Sequence, residues 1–358
     1  MRITLLCSRR SGATNAIEDA SVELVRALRA AGADADLALY CRGGSWISPD
    51  ERPIDIDSTA RAGDWLVVQY QPFLWGRRGF APWLPFFISR LRRRHGARVA
   101  LIVHEPYLDF GGPAQSALAI WQRAQLAALR LPADLVCASI EPWTNMLARA
   151  HPRRPTSHLP VGSNLPNCSG DRADARRELA PVDDTFVLAV FGTDHPARLW
   201  SYADAALEHI AARRRTLVLS LGAGNPFPSS PPHDVTVHRP GLLPAADVGR
   251  LLAAADLLLA PFVDGVSSRR GSIMAALQHS VAVVGTDGHL TDTTMRTAEC
   301  PVLTPVGNPR AFASAAEQLA TDDARRAEIA CAGRRLYERE YAWARVAAKL
   351  LGLLESNS

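Results

Sequence analysis

Apolar runs alternate with amphipathic stretches almost from one end of the chain to the other, a pattern that predicts repeated β-α-β units and parallel sheets. In the first half, Ile3–Cys7, Asp36–Tyr40, Trp65–Gln69, Val99–His104 and Leu135–Ser139 read as strands. Between them, Ala16–Ala31, with Leu24 and Leu28 on one face, and Ala114–Leu131 read as helices. A Pro/Gly/Ser-rich passage, His151–Gly170, breaks the pattern and predicts a linker. The alternation restarts at Phe186–Phe191 and continues through Thr216–Leu221, Asp234–His238, Leu257–Pro261, Val281–Gly285 and Cys300–Thr304. The tail, Ala324–Leu354, reads as helical, with Tyr341, Trp343 and Leu350 on its apolar face. The predicted class is α/β: two Rossmann-like domains, residues 1–165 and 166–339, facing each other across a cleft. A C-terminal helix over about 340–358 is expected to pack back on the first domain.

Size and composition agree with two domains. The chain has 358 residues, 47% hydrophobic and 21% charged, which suits two globular cores of about 150–200 residues each. Arg2–Cys7 is too short for a signal peptide and is followed at once by Arg9 and Arg10, and no run reaches the length of a membrane span. These features predict a cytoplasmic protein. The cysteines at 7, 41, 137, 168, 300 and 331 are scattered without metal-ligand or disulfide spacing. Net charge is +4, and Lys349 is the sole lysine among the 40 basic residues. Such an arginine excess reflects genome composition more than nucleic-acid binding, and no nucleic-acid partner is expected.

Ligands of open α/β sheets bind beyond the carboxyl ends of the strands, so the strand-to-helix turns are where chemistry is sought. The richest follows Leu257–Pro261 and brings Arg269, Arg270, Gly271 and Ser272 to a helix start. Helix amides and guanidinium groups together favour a diphosphate there, and Asp264 offers a hydrogen-bond acceptor for sugar hydroxyls. An ordinary basic loop with a serine cap is the alternative. A second turn, Gly192-Thr193-Asp-His-Pro-Ala-Arg198, could close on the same diphosphate, although alone it is a weak signal. In the first half, His104, Glu105 and Tyr107 follow a strand, and Gly12 lies in the turn after the first strand; these are candidates for the acceptor side. Leu221-Gly-Ala-Gly224 runs into Asn-Pro-Phe-Pro instead of a helix and does not support a dinucleotide site, and neither a Walker A sequence nor a nucleophile elbow occurs. One more stretch sets Phe73, Trp75, Phe80, Trp83, Phe86 and Phe87 among Arg77, Arg78 and Arg90 to Arg94. A helix with a core face and a solvated basic end is the favoured reading; peripheral contact with the inner face of the membrane is the alternative.

Taken in order, several segments resemble the GT-B glycosyltransferases, and within them the retaining group known as glycosyltransferase family 4. They are Ala133–Ser139, Leu159–Asn164, Phe191-Gly192 with Arg198 where the family has lysine, Pro240–Leu243, Ala254–Pro261 and the last helix with Trp343. The resemblance implies a nucleotide-sugar donor held by the second domain, an acceptor held by the first, retention of anomeric configuration and no required metal or other cofactor. It implies that Arg198 and the Arg269–Ser272 turn neutralise the leaving diphosphate, that the backbone near Leu243 meets the nucleobase, and that His104 lies near the transferred sugar. The usual pair of glutamates is missing: the matching positions fall near Ser267 and Ala275, and Asp264 replaces the first only in part. Thr193 also stands where the family commonly has arginine. The expected activity is glycosyl transfer to a glycan, lipid-linked saccharide or small metabolite. The alternatives are a non-catalytic nucleotide-sugar-binding protein and a nucleotide-sugar epimerase.

Overall fold

The computed structural model describes residues 1–9, 15–41, 43–59, 61–179 and 184–357. The chain divides into two compact units, Met1–Val161 with Trp343–Ser358 and Gly162–Ala342, each with its own hydrophobic core.

The first unit contains strands β1 (Arg2–Ser8), β2 (Asp34–Tyr40), β3 (Trp46–Ile47), β4 (Trp65–Tyr70), β5 (Arg98–Val103), β6 (Leu135–Ala138) and β7 (Thr156–His158). Their order in the sheet is β3-β2-β1-β4-β5-β6-β7, parallel throughout except for the short antiparallel pair β2–β3. The connecting helices are α1 (Ala16–Ala30), α2 (Ile56–Thr59), α3 (Trp83–His95), α4 (Pro113–Arg130) and α5 (Glu141–Ala150). Strands β4, β5 and β6 are buried almost without interruption, which is why they read as unbroken apolar runs in a parallel sheet covered on both faces. Helix α1 buries Ala20, Leu24, Val25 and Leu28, with Glu18 and Asp19 in its first turn and Arg29 in its last, all favourably placed in the helix dipole. Helix α3 ends on Gly96 at φ +66, a conformation that favours glycine.

The second unit contains α6 (Arg172–Leu179), β8 (Phe186–Phe191), α7 (Trp200–Ala211), β9 (Thr216–Leu221), β10 (Val235–His238), α8 (Ala245–Ala253) and β11 (Leu257–Ala260). It continues with α9 (Gly271–Gln278), β12 (Ala282–Asp287), α10 (Thr293–Thr297), β13 (Val302–Pro305), α11 (Pro309–Thr321) and α12 (Asp323–Leu336). Its sheet is parallel, in the order β10-β9-β8-β11-β12-β13. Asp256, just before β11, is a central fastening of this unit. Its carboxylate accepts hydrogen bonds from Arg172 at 2.9 Å, Arg176 at 2.7 Å and the Val187 amide at 2.8 Å, tying α6 to the start of β8. His279, buried after α9, accepts from the Cys168 amide through Nε2 and donates through Nδ1 to the Ala275 carbonyl, anchoring the chain that enters the unit.

Besides the two-residue β3, the structure departs from the sequence pattern in three places. Strand β7 lies inside the predicted linker, because its half-buried Thr156, Ser157 and His158 carry no apolar signal. The tail is not one helix: α12 is followed by a wide turn, Tyr337–Tyr341, and Ala342 is extended at ψ 138. Only then does α13 (Trp343–Ser356) begin, packing against α1 in the first unit with Val346, Ala347, Leu350 and Leu354 buried. Finally, the aromatic stretch is divided. Trp75, Trp83 and Phe87 pack with Tyr40 and Trp46, ring centroids 4.6 to 6.1 Å apart, whereas Phe80 and Phe86 point outward.

Candidate functional site

In the second unit the turns after β8 and β11 meet. Between Arg198 and Phe262 the backbones pair in antiparallel fashion, with the Val263 amide donating to the Ala197 carbonyl at 2.8 Å and the Leu199 amide to the Pro261 carbonyl at 3.0 Å. This pairing carries the Arg198 guanidinium inward to the Phe262 ring, 4.8 Å from its centroid, and 5.3 Å from that of Trp200. The Arg270 guanidinium reaches the same Phe262 ring at 4.1 Å. One aromatic ring therefore holds two cations, an arrangement favoured by the negative face of its π system.

Arg198 is 9% exposed. Its Nη2 donates to the Phe191 carbonyl, while its Nη1 is buried with no hydrogen-bond partner. Burial, and next the nearby Arg270 charge, depress its pKa to about 10 against the opposing pull of Asp194, so it remains a cation at neutral pH. A buried donor of this kind is expensive unless an anion meets it. Gly192 makes the placement possible. Its φ is +125, and a Cβ there would lie 2.3 Å from the Arg198 Nη2. Behind it, Gly222 after β9 leaves room for the Gly192 carbonyl, which a Cβ would approach to 2.7 Å.

Asp264 takes a role the sequence did not suggest. Arg270 donates to both of its carboxylate oxygens at 2.7 Å, and Arg269 donates to Oδ2. The carboxylate thus aims the two arginines, which removes it as a ready acceptor for sugar hydroxyls. Its backbone is itself locked: the Leu290 amide donates to its carbonyl at 2.9 Å, and a Cβ on Gly265 or Gly288 would come within 2.4 Å of the facing backbone. Ser267 and Ala275, where the glutamates of the resembled family would fall, are both fully buried. Gly271 and Ser272 stand in the first turn of α9, whose amides have no acceptor within the helix. Thr193 is exposed beside Gly192, and Leu243 is half-buried next to an exposed Leu242, with no hydrogen bond joining either to the arginine group. Nothing in the sequence marks Phe262, the residue after Pro261. An aromatic after a strand ordinarily reads as core, and only its two cation contacts reveal its role.

In the first unit His104 follows β5, its Nε2 2.6 Å from the Gln69 Oε1 and its carbonyl accepting from the Ser139 hydroxyl at 3.1 Å. Glu105 accepts from the Gln71 side chain at 3.0 Å, and the Tyr107 ring lies 3.8 Å from the Arg123 guanidinium with its hydroxyl toward the Met146 sulfur. Gly12 lies outside the described residues. Burial pushes the His104 pKa down to about 4, so the ring is neutral, with Nε2–H facing Gln69. In the unfolded chain it would protonate near 6.5. The unfolded state therefore binds the extra proton first, and stability falls as pH drops from about 6.5 toward 4; burial lowers His279 in the same direction. Thermal unfolding across that range should show the decline, and His104→Gln should flatten its slope. An unchanged slope in the variant would refute the assignment.

No family model matches the sequence, and no curated protein matches it. Solved structures do match. HepE of Anabaena, in complex with UDP and glucose, aligns over 99% of this chain and 100% of its own, with 14% identity and a TM-score of 0.70. WaaG, a glycosyltransferase involved in lipopolysaccharide biosynthesis, aligns over 98% and 99% with 14% identity and a TM-score of 0.63. Sucrose-phosphate synthase from Thermosynechococcus elongatus aligns over 99% and 98% with 16% identity and a TM-score of 0.66. At these identities the likeness bears on the fold, and the GT-B class expected from the sequence is borne out.

Proposed function

We propose that the chain is a glycosyltransferase that moves a sugar from a nucleoside-diphosphate sugar to an acceptor hydroxyl, its donor diphosphate bound in the second unit by Arg198 and Arg270. The observation that carries this reading is the buried Arg198 Nη1 without a partner, facing a second cation across Phe262. Arg269 and Arg270 share the single Asp264 carboxylate and Arg198 is met only by the charge of the exposed Asp194, which leaves a net positive site suited to a diphosphate. When the sugar–phosphate bond breaks, negative charge grows on the leaving oxygen. Fixed guanidinium groups in a dry setting stabilise it without reorganisation, as a metal ion would elsewhere. The first turn of α9 adds its amides to the same task. Retention of configuration and freedom from a metal are part of the proposal, on the strength of the family 4 resemblance. His104, Glu105 and Tyr107 then belong to the acceptor side; the neutral His104 ring, its Nε2–H turned to Gln69, has Nδ1 to accept a hydrogen bond. HepE, similar in fold, is seen with UDP and with UDP-glucose, which supports a donor of this class.

A second reading is favoured by one observation: with Asp264 held by two arginines and Ser267 and Ala275 buried, the usual carboxylates for the donor sugar are missing, as in a binding protein without turnover. The test separates the two. Thermal unfolding with UDP, GDP, ADP and TDP in turn should show stabilisation by one of them, since a ligand of the native state raises its stability. The corresponding sugar nucleotide should then release its nucleoside diphosphate in the presence of acceptor. Stabilisation without release supports the binding protein, and no stabilisation by any of the four refutes both.

A further inference from the structure

Helix α4 is a surface helix without a charge on its solvent face. Its exposed positions include Ala117, Ile120, Ala124 and Ala127, continued by Leu131, a stripe spaced by three and four residues; its two arginines, Arg123 and Arg130, turn inward. Large rings stand beside it. Phe80 is 56% exposed and rests on Trp121 of α4 at 4.4 Å, Phe110 is 61% exposed, and Phe86 on the neighbouring α3 is 75% exposed. Ile120 itself is 61% exposed. Of the large exposed apolar side chains among the described residues, most fall in this one region.

The turn that carries Phe80 is built rigidly. Gly76 and Gly79 leave no space for a Cβ, which would come to 2.0 Å from the Phe80 carbonyl and 2.9 Å from the Gln122 amide respectively. Between them Arg78 is held at φ +54, a strained position for a residue other than glycine, and both Arg77 and Arg78 point into solvent. The Ala81 amide is fastened to the buried Gln125 side chain at 2.8 Å. Strain retained on a fixed turn that presents two cations and a phenyl ring calls for a partner.

We infer that the α3–α4 face of the first unit docks on an anionic lipid surface, with Phe80, Phe86, Phe110 and Ile120 entering the interface and Arg77, Arg78 and Arg93 meeting phosphates. Charge selects this occupant. Within residues 71–134, Arg77, Arg78, Arg90, Arg93 and Arg94 are exposed against one exposed carboxylate, Asp109, and Asp134 is already paired with Arg92. Asp57 draws off Arg90 and Arg94, whereas Arg77 and Arg78 make no ion pair among the described residues. A second copy of the chain would set like charges against each other, whereas anionic headgroups supply the missing sign, and exposed aromatic rings suit the headgroup level. No helix among the described residues is long and apolar enough to cross a membrane, so contact of this kind is peripheral. The inference is independent of the donor site.

The test is co-sedimentation of the full chain with phosphatidylglycerol/phosphatidylcholine vesicles and with phosphatidylcholine alone. Binding is expected to the anionic vesicles only, and to weaken at high salt. The pairs Arg77→Glu with Arg78→Glu, and Phe80→Ser with Ile120→Ser, should each lower partitioning by about tenfold or more, with thermal unfolding unchanged because the replaced groups are exposed. Hydrogen exchange without any substitution should slow over residues 76–81 and α4 on binding. Absence of binding, binding that survives both pairs, or a dimer that the Phe80/Ile120 pair dissolves would overturn the inference.

Discussion

Arg198→Met weakens binding of a nucleoside diphosphate by about 2–3 kcal/mol, or roughly 30- to 150-fold, while leaving the free chain as stable as before or more so. Methionine keeps an apolar body of similar length between Phe262 and Trp200, so the packing around the site is largely preserved. What disappears is a cation held away from water, with Nη1 unmatched and Arg270 nearby as a like charge. In the free protein that cation is a burden, and its removal relieves desolvation. In the complex it makes a charge-assisted bond in a dry setting, and its removal forfeits that bond. Binding and stability thus move in opposite directions. Calorimetric titration with the diphosphate found by the stabilisation screen, together with thermal unfolding of the free variant, reads both. If affinity is unchanged, or falls only in step with lost stability, Arg198 is a packing residue and the donor site lies elsewhere.

The second large effect is on folding. Asp256→Ala should destabilise the second unit by about 3 kcal/mol, because it strands two arginines and an amide at once. The Asp256 side chain is 8% exposed, so little water can take its place, although Arg172 and Arg176 are open enough to be partly hydrated and also hold backbone carbonyls. That partial hydration puts the loss at the low end for a broken buried ion pair. Asp256→Asn keeps an acceptor for the Val187 amide and should lose about half as much. Urea denaturation of both variants decides the point. Equal losses in the two variants would show that the charge, and not the bond to the Val187 amide, is what matters.

Much of the fold was legible in the chain because parallel strands buried on both faces leave unbroken apolar runs, as in Phe186–Phe191 and Trp65–Tyr70. Short strands at a sheet edge leave no such trace: Trp46–Ile47 is two residues long, and Thr156–His158 is polar and half-buried. The candidate site was legible as places and charges. The turns ending at Arg198 and Ser272 follow from strand ends, glycines and arginines, and both face one another around Phe262.

How those charges are spent could not be read the same way. Asp264, an acceptor for sugar in the sequence reading, is the counter-ion that aims Arg269 and Arg270. Arg198, weak evidence by itself, is the cation left without a full set of partners. Two parallel sheets, the turns at their carboxyl ends and an arginine-rich helix start follow from the chain alone, because hydrophobic period and turn chemistry are local. Which arginine is buried and unmatched depends on the packing of the folded unit. Desolvation and Coulomb attraction depend on distances between residues as far apart in the chain as 198 and 270, and those distances exist only once the sheet has formed.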